Sequence, residues 1–321
     1  MHEVRRSLLA AALLLAAAAP GMAQTDKGTI RLLVGFPPGG SADVVARTLA
    51  DKLRVSLGQN VVVENKAGAA GRIAIGEVKR SPPDGLTLLV SPSGPFVVFP
   101  HVYKKLDYDP VADFTPIARV ATFDFALAVG PKVPAGGVRE LIAWFKANPG
   151  QGNYGSPGAG TLPHFVGLMF GRAAGVELNH IAYKGGAPAL TDLVAGQIPL
   201  SVDTPLEPME LHRAGKIRIV AVSGERRSPM LPDVPTLKES GIDMTADGFF
   251  GVYAPANLPA DQVSRLNQAI VDAVKAPDIQ DKLIRLGLNP LPSSPAEMVK
   301  MQAQHLVRWE MPIKASGFTA E

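Results

Sequence analysis

The strongest constraint on the fold is a repeated unit: a short apolar run, a glycine-rich turn, then an amphipathic helix. Ile30 to Phe36 (IRLLVGF) is apolar almost throughout, as a strand buried on both faces is. Pro37-Pro38-Gly39-Gly40 turns the chain. Val45, Leu49, Leu53 and Leu57 then recur every four residues, predicting a helix that stops at Gly58. The unit returns with strands over 60–64 and 86–91, a Gly68-Ala69-Ala70-Gly71 loop and a helix over 72–80. Further strands are predicted at 125–129, 152–156, 181–183, 198–202, 217–223 and near 251–254. Helices at about 138–148, 161–174, 187–196 and 206–214 lie between them, and helices at about 260–275, 278–286 and 295–315 close the chain. This alternation predicts an α/β fold with parallel sheets.

At 321 residues the chain is long enough for two lobes. No low-complexity tract or flexible linker separates them. A chain that passes between lobes twice, through strands, would look this way. The N-terminus has a different character. Arg5 and Arg6 precede the small, apolar run Ser7 to Ala19, Pro20 breaks it, and Gly21-Met22-Ala23 ends in a cleavage-like site. Residues 1–23 therefore read as a secretory signal, its apolar run too short to span a bilayer, and the mature protein is expected to be exported and soluble. There is no cysteine, which removes disulfides, thiolate catalysis, cysteine metal sites and a lipoprotein anchor. The formal net charge of +3 is scattered, with no basic block, so nucleic acid is not an expected partner.

Four loops stand at predicted strand ends: Phe36 to Asp43, Gly68 to Gly71, Ser91-Pro92-Ser93-Gly94, and Ser156-Pro157-Gly158-Ala159-Gly160-Thr161. Ligands of open α/β sheets bind outside the carboxyl ends of strands. Glycine lets backbone N–H groups approach a ligand, and the following helix adds unpaired donors and partial positive charge. Such loops bind anions without Arg or Lys, with Ser41, Ser93 and Thr161 as added hydroxyl donors. The competing reading is tight turns with Ser and Thr as helix caps. Asp203, at the end of an apolar strand and before Thr204-Pro205, fits either a cleft-edge acid or a cap. Asp43 fits a first-turn acid favoured by the helix dipole, or a ligand contact. His164 follows the fourth loop and fits a structural role or a cleft wall. Gly150 to Gly155 matches G-x-G-x-x-G, but a predicted helix precedes it and a strand follows, the reverse of a dinucleotide site. No spacing of histidines or acids suits zinc.

Read together, these stretches resemble the solute-binding components of tripartite tricarboxylate transporters, the Bordetella uptake group. The resemblance runs from IRLLVGFPPGGSADVVARTLADKL through VVVENKAGAAG, PPDGLTLLVS and YKKLDYDPVADFTPIARV. It continues through NYGSPGAG, YKGGAPALTDLVAGQI and AGKIRIVAVSGERRSPMLPDVPTLKESG to APANLPADQVSRLN. It implies a two-lobed periplasmic binding protein fold of type II with two crossover strands. The implied lobes are 24–124 plus 247–321, and 125–246. It implies a small carboxylate in the cleft, no cofactor or metal, and delivery to membrane permease subunits by a monomer. Position by position, it places Phe36, Gly39, Gly40, Ser41, Asp43, Gly68, Gly71, Ser91, Ser93, Ser156, Gly160 and Thr161 at the ligand. Asp203 matches the acid that faces the ligand amine in amino-acid-binding members.

The chain departs from the pattern after Ser93, where Pro95-Phe96-Val97-Val98-Phe99 replaces a polar stretch. It departs again at Pro157, Leu162 and Pro163. Fewer hydroxyls and more apolar surface point to an acid with an apolar or aromatic body rather than citrate. An exported hydrolase or isomerase using Asp203 or His164 as base is the alternative. A sensor subunit that presents the ligand to a membrane kinase is another.

Overall fold

The computed structural model describes residues 28–320; the export signal read at 1–23 lies outside the described residues. Two sheets organise it. The first, six-stranded, has β2 (Val61–Asn65) at one edge, then β1 (Ile30–Val34) and β3 (Thr87–Pro92), with β2 and β3 both parallel to β1. Beyond β3 come β10 (Asp247–Pro255), β4 (Phe114–Asp124) and the short β11 (Asn289–Pro290). The second sheet is five-stranded, in the order β7 (Asn179–Ala182), β6 (Asn153–Ser156), β8 (Leu200–Asp203), β5 (Ala126–Val129), β9 (Arg218–Val222).

The sheets are mixed rather than parallel. β10 runs antiparallel to both β3 and β4, and β5 antiparallel to both β8 and β9. The alternating pattern predicted the parallel halves, where a helix returns the chain to the same edge. β4 enters β5 through Phe125 alone, with no crossover helix, so the strands around the crossing pair antiparallel.

The helices follow the apolar periodicity. α1 (Ser41–Leu57) buries Val45, Leu49 and Leu53 and ends on Gly58 in the left-handed conformation (φ 56°). α2 (Arg72–Lys79), α3 (Gly94–Val97) and α4 (Phe99–Val102) complete the first run of helices. α5 (Val138–Ala147), α6 (Leu162–Ala174), α7 (Gly186–Val194) and α8 (Leu206–Arg213) belong to the five-stranded lobe. α9 (Ala260–Lys275), α10 (Pro277–Arg285) and α11 (Pro295–Ser316) pack back towards the six-stranded lobe. Ser294 and Glu297 form a reciprocal cap at the start of α11, with Pro295 in its first turn. Phe96 is fully buried, stacked on Tyr253 with ring centroids 3.8 Å apart.

The two crossings are joined at one side chain. Ser223 Oγ accepts from Phe125 N (2.9 Å) and donates to Ala246 O (2.6 Å), linking the first crossing to the second. Ser223 is fully buried. Ser223→Ala would leave a buried N–H and a buried C=O without that partner, and is expected to cost about 1–3 kcal/mol in urea unfolding. An unchanged midpoint would contradict this role.

Candidate binding cleft

A cavity of about 260 Å³ opens between the lobes, lined by strand-end loops of both. From the six-stranded lobe come Phe36, Gly39, Gly40, Ser41 and Ala70. From the five-stranded lobe come Thr161, Leu162, Lys184, Gly185, Gly186, Asp203, Thr204 and Glu207. The N-termini of α1, α6 and α7 all reach this wall, so the positive ends of three helices face one space. Four further phenylalanines line it: Phe99, Phe123, Phe125 and Phe250.

Of the residues singled out in the sequence, Phe36, Gly39, Gly40, Ser41, Thr161 and Asp203 line the cavity, and the others stand behind it. Asp43 is buried and accepts from Gly39 N (3.0 Å), Arg47 Nε (2.9 Å) and Asn65 Nδ2 (2.9 Å). Burial works to raise its pKa, but those hydrogen bonds win and hold it below the usual carboxylate value. Its work is to fix the first glycine loop. Gly68 and Gly71 flank Ala70, which reaches the wall in their place. Gly71 (φ 97°) lies against the Phe36 ring and the backbone of Gly35. Ser91 donates to Pro92 O, while Ser93 accepts from Phe249 N and joins β3 to β10. Ser156 bonds His180 Nε2 (2.7 Å), and Gly160 N donates to His164 Nδ1 (3.1 Å).

Of the hydroxyl donors expected at Ser41, Ser93 and Thr161, those of Ser41 and Thr161 are already engaged. Thr161 Oγ1 donates to Gly158 O (2.7 Å), and Ser41 Oγ lies 2.6 Å from Thr204 Oγ1 and 2.9 Å from each Glu207 oxygen. Thr161 thus finds a local backbone partner, as short hydroxyl side chains at turns do, whereas Ser41 is held by side chains of the other lobe.

His164 does not reach the cavity. Its ring stacks on His180 at 3.8 Å, and burial, with repulsion from His180, depresses its pKa to about 3. Burial likewise depresses His180 to about 4. The unfolded chain takes up these protons near 6.5 and the folded chain does not. Stability from these two rings is therefore full above pH 6.5 and falls as pH drops towards 4, by up to about 1.4 kcal/mol per pH unit for each proton. Urea unfolding at pH 7 and pH 5 in the wild type and in His180→Asn checks this; the same loss of stability between the two pH values in both proteins would contradict it.

Asp203 is the most unusual group on the wall. It is 5% exposed; Oδ1 accepts from Thr204 N (2.8 Å), but Oδ2 is buried without a partner. Burial raises its pKa well above the ordinary value, and the neighbouring Glu207 adds to the rise. An alanine methyl at Gly186 would collide with Oδ2, so glycine there lets the helix approach the acid. Lys184-Gly185-Gly186 is a fifth strand-end glycine loop that the sequence reading passed over. Its signal was present: two glycines directly after a predicted strand. Glu207, in the first turn of α8 just beyond the Asp203 strand end, was also missed, because a first-turn acid reads as a partner of the helix dipole.

Residues 45–318 match the model of the tripartite tricarboxylate transporter family receptor. The chain belongs to this family. BugT of Bordetella pertussis is 33% identical over 303 residues, which cover 94% of this chain and 93% of BugT. The receptor also superposes on the R. palustris protein Rpa4515 solved with adipate. The TM-score is 0.88 at 32% identity, over 91% of this chain and 98% of that one. MatC of Rhodopseudomonas palustris, solved with bound malate, gives a TM-score of 0.82 at 28% identity, over 89% of this chain and 98% of that one. The receptor thus has the two-lobed type II periplasmic binding protein fold of its relatives. No helix among its described residues is long and apolar enough to cross a membrane.

Proposed function

We propose that the chain is an exported periplasmic receptor that closes on a small organic acid and delivers it to the permease subunits of a tripartite transporter. The observation that carries this reading is the convergence of three helix N-termini on one interlobe cavity. Fixed N–H donors replace an anion's hydration, and closure strengthens them by excluding water. The adipate and malate bound by its structural neighbours support a carboxylate as the ligand. Residues 24–124 with 247–321, and 125–246, are proposed to move as the two lobes about the Phe125–Ser223 junction.

Ligand contact is assigned to the cavity residues Phe36, Gly39, Gly40, Ser41, Thr161 and Asp203, with Lys184, Gly185 and Gly186 added. Asp43, Gly68, Gly71, Ser91, Ser93, Ser156 and Gly160 shape the loops from behind. The aromatic lining supports a ligand with an apolar or aromatic body. Thermal-shift screening of a carboxylate panel tests this, and stabilisation by citrate alone would contradict it.

One observation favours a second reading. A buried carboxyl with a raised pKa on a cavity wall is also how a general acid or base is built, and Asp203 is such a group. The two readings separate by following a bound acid by NMR with the protein in excess. The receptor returns the acid unchanged; an enzyme converts it, and conversion is lost in Asp203→Asn.

A further inference from the structure

Glu207 belongs to the five-stranded lobe, yet its carboxylate is bound by the other lobe. It accepts from Ser41 N (3.0 Å) at the first turn of α1, and its two oxygens each lie 2.9 Å from Ser41 Oγ. Thr204 Oγ1 also donates to it. Both oxygens act as acceptors. The two Ser41 donors that it takes belong to the Gly39-Gly40-Ser41 loop, part of the anion-binding equipment of the cleft. The chain thus supplies one carboxylate to its own cavity.

What remains for a ligand is the α6 and α7 N-termini, the Lys184 ammonium and the unpartnered Oδ2 of Asp203. Lys184 makes no salt bridge among the described residues, so one cation stands opposite one ligand charge. A second ligand carboxylate would meet Glu207 across a cavity of about 260 Å³ with apolar walls, where like charges are poorly screened. We infer that Glu207 takes the place of a second ligand carboxylate and restricts this receptor to acids carrying a single carboxylate. Specificity here is built by repulsion of the wrong ligand as well as attraction of the right one. The inference rests on the carboxylate-receptor reading above.

The test compares two acids of equal chain length, hexanoate and adipate, by isothermal titration calorimetry. The wild-type protein is expected to prefer hexanoate. Glu207→Gln keeps an acceptor for Ser41 N and removes the charge; Glu207→Ala also frees the Ser41 donors. Both variants are expected to shift the affinity ratio towards adipate by at least about tenfold, with alanine the larger. A wild-type preference for adipate, or an unchanged ratio in both variants, overturns the inference and leaves the receptor reading standing. Binding of neither acid, and of no other carboxylate, by any of the three proteins overturns the receptor reading and this inference with it.

Discussion

Gly40→Trp is expected to weaken carboxylate binding at least about a hundredfold while leaving the fold intact. Gly40 has φ −76° and ψ 167°, a conformation open to any residue. A Cβ there would meet nothing closer than Pro37 O at 3.6 Å and Glu207 Oε1 at 3.7 Å. The backbone therefore accepts a side chain, and only what lies beyond it does not. The indole would project towards Glu207, into the space where the first loop faces the other lobe. It would fill the cavity and prop the lobes apart, cutting the ligand off from the donors of the five-stranded lobe. Titration calorimetry with the best-binding acid reads the loss, and urea unfolding reads the fold. Wild-type affinity in this variant would place the ligand somewhere other than this cleft.

Gly35→Ala is expected to damage the fold itself, by about 3 kcal/mol, the upper end of what overpacking costs. Gly35 sits where the first two glycine loops touch. A Cβ there would lie 2.5 Å from Gly71 Cα and 2.8 Å from Gly71 O, both main-chain atoms that cannot swing aside. Relief requires separating the Phe36 loop from the Gly68–Gly71 turn. That turn is tightly held, with Ala69 and Ala70 both at positive φ (46° and 54°). Binding should weaken as well, because Phe36 and Ala70 on the cavity wall would part. A urea midpoint close to wild type would show that the loops can separate cheaply.

Much of the fold was legible because local signals and tertiary structure agreed. The four-residue apolar spacing of Val45, Leu49 and Leu53 predicted α1, and the pattern over 260–275 predicted α9 with the ends that the structure shows. β4 was not legible. Its eleven residues, FTPIARVATFD, carry Pro116 and Arg119, and bulges against β10 break the alternation that would have marked a strand. The short α3 and α4 were hidden inside an apolar run whose periodicity fits helix or strand equally well.

The site divides in the same way. Glycine loops at strand ends were visible as sequence, and the six cavity residues among those predicted include the first loop and the Asp203 strand end. Which hydroxyls stay free was not visible, because Thr161 is claimed by the nearby Gly158 carbonyl and Ser41 by side chains of the other lobe. The aromatic lining was not visible either: Phe123, Phe125 and Phe250 come from the crossing strands, whose orientation depends on how the lobes meet. Glu207 depends on that meeting too, since its partner Ser41 lies 166 positions away.

The most direct test of a cleft built for one small acid is the native mass of the freshly purified protein. A carboxylate receptor of this kind predicts a complex with one small organic acid per chain, lost on denaturation and restored by adding a matching carboxylate. The mass of the bare chain under every condition, with no acid able to shift it, would contradict it.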